Sequence, residues 1–230
     1  MPIIIAIAGP SGSGKTVLSN LLRDKKNCTE LVSMTTREPR KGEINGKDYT
    51  FVDEKTFKEI EASGNLIESV FYNNRYYGIP AIEVENADKL GSPSVVVVDP
   101  IGIKNVQKYS ESKGWTCISI FVNNPLNVLM ERLEKRYEND CSNINPNDKN
   151  AELLYNKVRD TYLSRIESLK YEQENWVKPA YKENNMYSIV IDKFNPENQE
   201  KILEEIYSLV ENKLIEANVN TIKKNKKFGR

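Results

Sequence analysis

Histidine is absent from this chain of 230 residues. The absence excludes every mechanism built on an imidazole base, Ser-His-Asp and Cys-His arrangements among them, and any zinc site with imidazole ligands. Cysteine is scarce: Cys28, Cys117 and Cys141 lie far apart and form no C-x-x-C pair. Such spacing suggests neither a disulfide framework nor a zinc knuckle. Net charge is missing too, because 33 Lys and Arg balance 33 Asp and Glu, so no overall basic field marks a nucleic-acid coat. Long apolar runs are also lacking. The opening stretch Pro2 to Ala8 is too short for a signal peptide or a membrane span and runs straight into Gly9-Pro10. The expectation is a reducing, cytoplasmic setting with no membrane partner. What remains is an ordinary folded composition, with 39% hydrophobic and 29% charged residues, long enough for one embellished domain or two small ones.

Five short β-branched runs stand out: Ile3 to Ile7, Leu31 to Thr35, Val95 to Val98, Cys117 to Val122 and Tyr187 to Ile191. Near-continuous apolar strands indicate a sheet covered on both faces. Helical stretches are predicted at about 15–26, 102–113, 125–138, 150–175 and 196–217, an alternation that reads as α/β with a five-stranded parallel sheet. Residues 36–90 break the alternation. They hold a polar loop, a short strand at Tyr49 to Val52, a helix after the N-cap candidate Asp53, and a hairpin turning at Asn73-Asn74. A small mixed α/β subdomain is therefore expected to be inserted in the main sheet. A second polar break, Asp140 to Asn150, suits a mobile flap. The basic tail from Ile222 to Arg230 is expected to be frayed and solvated.

Gly9-Pro10-Ser11-Gly12-Ser13-Gly14-Lys15-Thr16 fits G-x-x-x-x-G-K-[ST], with a buried strand before it and a helix after it. The glycines let the backbone curl so that successive N–H groups grip phosphate oxygens, and the following helix aims its positive end at the same anion. Lys15 can then reach the outer phosphates of ATP, and the Thr16 hydroxyl can hold Mg²⁺. Further on, Arg37 and Arg40 lie three apart with Tyr49 beyond them. They are either a clamp for a second phosphate, which guanidinium forks match bidentately, or a solvated basic loop.

The series T-T-R-x-P-R-x-G-E, N-G-x-D-Y and Y-Y-G, read from Thr35 to Gly78 with Glu68 inside it, resembles the guanylate kinases clearly over about residues 4–100 and more thinly to about 210. The resemblance implies a P-loop kinase core at 1–35, 91–135 and 160–217, an acceptor-binding subdomain at 36–90, a helical lid at 136–159, and a basic tail at 218–230. It implies that Arg37, Arg40, Tyr49 and Tyr77 hold the phosphate of a nucleoside monophosphate. Ser33 and Glu68 would read guanine, and Asp99 would sit where metal and acceptor meet. Arg132, Arg136 and Arg159 would close over the transferring phosphoryl group, with Arg165 as a rival to Arg159. The chemistry of those residue types agrees, since guanine offers N1–H and N2–H₂ side by side to a carboxylate, and adenine does not. Phosphoryl transfer is mainly positioning and charge neutralisation, so the missing histidine is no obstacle.

The chain departs from the family pattern at Ile79, where a hydroxyl residue is usual, and at Val97 and Ile101 in the strand segment that ends on Asp99-Pro100. The expectation is therefore an ATP-dependent GMP or dGMP kinase using Mg²⁺, a monomer or homodimer without nucleic-acid partners. The alternatives are a kinase for a different or modified nucleoside monophosphate, and a non-catalytic peptide-binding module; the intact Lys15 and Thr16 argue against the latter.

Overall fold

The computed structural model describes residues 1–39, 42–72, 74–182 and 186–228, with side chains up to residue 216 apart from that of Tyr72. The chain opens on β1 (Ile3–Ala8), turns through the glycine-rich loop into α1 (Lys15–Lys26), and reaches the short β2 (Thr29–Glu30). Strands β3 (Met34–Thr35) and β4 (Thr50–Phe51), helix α2 (Glu54–Ala62), and the hairpin β5 (Leu66–Tyr72) and β6 (Arg75–Pro80) follow. Next come α3 (Ala81–Lys89), β7 (Ser94–Val97), α4 (Pro100–Lys113), β8 (Thr116–Asn123), α5 (Leu126–Ser142) and α6 (Ala151–Glu172). A π-helical turn (Gln173–Val177) leads to α7 (Lys178–Lys182), β9 (Ile189–Asp192) and the long α8 (Gln199–Phe228).

The main sheet is five-stranded and parallel, in the order β2-β7-β1-β8-β9. Its central strand shows why a continuous apolar run was needed. Ile3, Ile5 and Ile7 pack with Leu18, Leu22, Leu203 and Ile206 on one face, while Ile4, Ala6 and Ala8 pack with Ile79, Val84, Ile103 and Phe121 on the other. Both faces are thus covered by helices, as parallel sheets require. A second sheet of four strands, β4-β3-β6-β5, carries the inserted segment. Its helix α2 starts where expected: Asp53 accepts a hydrogen bond from the Thr56 N–H at 2.7 Å, and Phe57 is fully buried and stacks on Tyr76.

Two expectations need correction, and one helix carries no local signal. The run Leu31 to Thr35 is not one strand of the main sheet; Thr29–Glu30 pairs with β7, whereas Met34–Thr35 pairs with β4 and β6 in the small sheet. The chain crosses between sheets inside that run, and composition does not mark the crossing. Helix α3 is not marked in the sequence, because no polar cap announces it: its N-cap is Pro80, and only Ala81, Val84 and Ala87 give it a buried stripe. The tail is not wholly frayed, since α8 continues to Phe228. The predicted break does interrupt the helices, between Ser142 and Ala151. Among the described residues no helix is long and apolar enough to cross a membrane.

Candidate active site

The glycine-rich loop follows the carboxyl end of β1, and Asp99 that of the neighbouring parallel strand β7, where open α/β sheets place ligands. The loop after β1 is pressed hard against the sheet. A Cβ on Gly9 would lie 2.1 Å from the Val122 carbonyl oxygen, and the backbone there has φ +150°, so only glycine fits. Residues remote in sequence then brace the loop. The Asn124 side-chain amide, 4% exposed, donates to Ser13 O at 2.9 Å. Arg132 donates to Gly12 O at 3.1 Å, to Ser13 O at 3.3 Å and to Phe194 O at 2.7 Å. Lys15 Nζ donates to Gly9 O at 2.7 Å and to Pro10 O at 2.9 Å. Burial pulls the Lys15 ammonium down to about 8, against the field of Glu172, which raises it.

Ser11, Gly12, Gly14, Lys15 and Thr16 line a cavity of about 690 Å³ together with Arg132, Arg136 and Arg165. That size suits a nucleotide. Gly9 and Ser13 do not line it; Ser13 is fully buried beneath the loop and its N–H donates to Pro10 O at 3.1 Å. Burial and the neighbouring Arg136 pull the Arg165 guanidinium below its ordinary value, with Asp140 opposing them. Arg159 does not line the cavity: its side chain is 57% exposed and lies 3.7 Å from Asp160. On a helix whose cavity face carries Arg165, six residues away, Arg159 is turned off that face by the helical period.

On the acceptor side the structure brings Arg37, Tyr49 and Tyr77 together. Arg37 lies over the Tyr49 ring at 5.4 Å, and the Tyr49 and Tyr77 rings meet edge to face at 6.2 Å. Arg37 is held by the Glu43 carboxylate at 2.9 Å, and its N–H donates to the Thr35 hydroxyl at 3.1 Å. Ser33 fastens the small sheet through its carbonyl, which accepts from the Thr50 N–H. Arg40 lies outside the described residues. The pairing of β5 with β6 slips between Leu66 and Glu68, a bulge that buries Ile67 and redirects Glu68. Burial, with Asp99 nearby, pushes the Glu68 carboxyl up to about 7.

Glu68 comes so close to the start of α4 that a Cβ on Gly102 would lie 2.6 Å from its Oε1. Asp99 is the N-cap of that helix and accepts from the Gly102 N–H at 2.7 Å. Ile79, which departs from the family pattern, is 2% exposed and packs in the core cluster under the main sheet, whereas Ile101 is 68% exposed. The cysteines take no part: all three are free, and burial pushes Cys28 and Cys117 up to about 11 and about 12. Sequence reasoning missed Asn124 and Glu172. Neither belongs to a local motif, and only their contacts with a loop more than 100 residues away single them out.

The guanylate kinase family model matches residues 1–173. The chain is 36% identical over 162 residues to the guanylate kinase of Wolbachia pipientis wMel, covering 70% of this chain and 79% of that protein. It is 36% identical over 179 residues to the guanylate kinase of Lactobacillus acidophilus, covering 73% of this chain and 86% of that one. The fold is similar to the crystal structure of guanylate kinase from Anaplasma phagocytophilum, with a TM-score of 0.56 and 23% identity over 92% of this chain and 86% of that chain.

Proposed function

The chain belongs to the guanylate kinase family, and on that premise we propose that it transfers the γ-phosphoryl group of ATP to GMP or dGMP. The observation that supports the reading is the loop cavity with its three arginines beside a second cluster, Arg37 over the Tyr49 ring with Tyr77 against it, which we read as two phosphate sites. One phosphate site alone would serve a hydrolase or a switch; two serve phosphoryl transfer between nucleotides.

In this mechanism the loop amides and Lys15 hold the donor phosphates. Arg136 and Arg165 neutralise charge on the equatorial oxygens of the transferring group, and Arg132 keeps the loop in shape while lining the same cavity. Residues 36–90 form the acceptor-binding subdomain, and 136–159 the lid that excludes water. Arg37, with Arg40, Tyr49 and Tyr77, grips the acceptor phosphate. Glu68, ionised, accepts from guanine N1–H and N2–H₂, Ser33 donates to O6, and Asp99 faces the acceptor. Thr16 lines the donor cavity, and its hydroxyl is a hard oxygen donor suited to Mg²⁺, which takes few protein ligands and keeps phosphate and water oxygens. No group of three acidic or thiol ligands lies elsewhere among the described residues. When bound, Mg²⁺ would supply charge neutralisation on the phosphate oxygens. A cytoplasmic setting belongs to the same proposal, supported by the three unpaired thiols and by ATP as donor.

The test is coupled ADP release with ATP, Mg²⁺ and a panel of GMP, dGMP, AMP, dAMP, CMP, UMP and dTMP. Turnover confined to GMP and dGMP is expected. Poor turnover with both, alongside good turnover with another acceptor, would overturn the guanine assignment.

A further inference from the structure

We propose that Glu172 is a positioning residue for phosphoryl transfer, anchoring the phosphate loop to the arm helix α6 and orienting Lys15 through the Pro10–Ser11 peptide. The inference rests on the phosphotransferase reading above and deepens it. Ser11 N–H donates to Glu172 Oε2 at 2.8 Å, and the Ser11 hydroxyl donates to Oε1 at 3.1 Å, across 161 residues of sequence. The carboxylate is only 6% exposed. A carboxylate withdrawn from water is tolerated only with hydrogen bonds and an opposite charge nearby. Here the loop supplies the bonds, and Lys15 is the charge.

The geometry is specific to one peptide group. Lys15 Nζ donates to the Pro10 carbonyl oxygen, and the N–H of that same peptide donates to Glu172. Ammonium, peptide and carboxylate thus form one chain in which both charges act along the peptide dipole. Such chains polarise their members and strengthen each bond. The ammonium is thereby held at the turn that feeds the phosphate cradle. Removing the carboxylate leaves the Ser11 N–H without its acceptor and frees the turn that positions Lys15.

Glu172 also sets the register of α6. Arg165 lies seven residues earlier, two helical turns away on the same face, and lines the donor cavity. Immediately after Glu172 the backbone widens into the π-helical turn Gln173–Val177, a feature found often at functional sites. A helix pinned at residue 172 presents Arg165 to the cavity at a fixed height. The charged groups around Lys15 are Glu172 from α6, whose field favours the ammonium, and Arg132 and Arg136 from α5 with Arg165 from α6, which line the same cavity.

The test compares wild type with Glu172→Gln and Glu172→Ala, reading ADP affinity by calorimetry and kcat with KM for ATP and for GMP at about pH 7.5. Gln keeps an acceptor for the Ser11 N–H, so its melting temperature should stay within a few degrees of wild type. Its ADP affinity and kcat should each fall about tenfold, and those of Ala about a hundredfold, while KM for GMP stays within about twofold in both, because only the donor loop is disturbed. A Glu172→Gln protein with wild-type ADP affinity and kcat overturns the proposal, as does a loss that tracks falling melting temperature or falls equally on GMP. A wild type that binds ADP but phosphorylates no monophosphate would overturn the functional reading alone, and the ADP affinities of the variants would still decide the role of Glu172.

Discussion

The two halves of the site are built in opposite ways. The donor half is one continuous loop, Gly9 to Thr16, whose shape is imposed from behind by Val122, Asn124, Arg132 and Glu172. The acceptor half, as proposed, is collected from Ser33, Arg37, Tyr49, Glu68, Tyr77 and Asp99, positions spread over 67 residues, most of them carried by a small sheet whose strands β3 and β4 have two residues each. The first half reads a feature shared by all nucleoside triphosphates and can be made by local backbone. The second must read one base, and the directional hydrogen bonds that do so come from side chains on different elements. Where the donor loop is clamped into a packed sheet, the acceptor side is edged by a bulge, an exposed hairpin and a polar loop.

The comparison can be broken most forcefully on the donor side. Lys15→Ala should lower kcat by about 10³-fold, since a preorganised cation in the transition state is worth that much, while GMP affinity measured by calorimetry stays within about twofold. Equal loss of both would mean that the halves are not independent.

On the acceptor side, Glu68→Gln should raise KM for GMP by about 10–100-fold, because an amide N–H₂ would face guanine donors. Wild type should also show a pH limb that the Gln variant lacks. With the carboxyl pushed up to about 7, the free enzyme carries the ionised acceptor above that pH and the neutral acid below it. Thus kcat/KM for GMP should fall about tenfold per unit as pH drops below 7. A Glu68→Gln profile with the same limb would assign it to the phosphate of GMP instead.

A smaller effect separates the arginines of the arm. Arg165→Ala should reduce kcat by about 10–100-fold, whereas Arg159→Ala, remote from the cavity, should leave initial rates within about twofold. Reversed outcomes would show that α6 rotates during turnover. The smallest effect lies away from both phosphates. Asp53→Ala removes the cap of α2 and should cost about 1 kcal/mol in urea unfolding, with the donor half untouched as judged by ADP affinity.

Much of this was legible beforehand for physical reasons. The alternation of apolar strands and amphipathic helices marked the main sheet, because a doubly covered parallel strand has to be apolar at nearly every position, as Ile3 to Ala8 are. Asp53 was recognisable because a capping carboxylate acts within one turn. Helix α3 was not, because its burial on the main sheet replaces a local start signal. The division of Leu31 to Thr35 between two sheets was hidden as well, since every residue of that run suits either one. Ile79 stood out in sequence as a departure in the base pocket, yet the fold places it in the core.

The sequence by itself determined the chemistry of the donor loop, since glycines, lysine and threonine at that spacing dictate a local backbone and its amide cradle. Only the tertiary structure decided which distant side chains brace that cradle and which arginine reaches it. Glu172 and Asn124 touch the loop across 161 and 111 residues, and the choice of Arg165 over Arg159 depends on how α6 is turned against the core. Contacts of that kind arise from packing whole elements together, and a residue's type and neighbours carry no record of them.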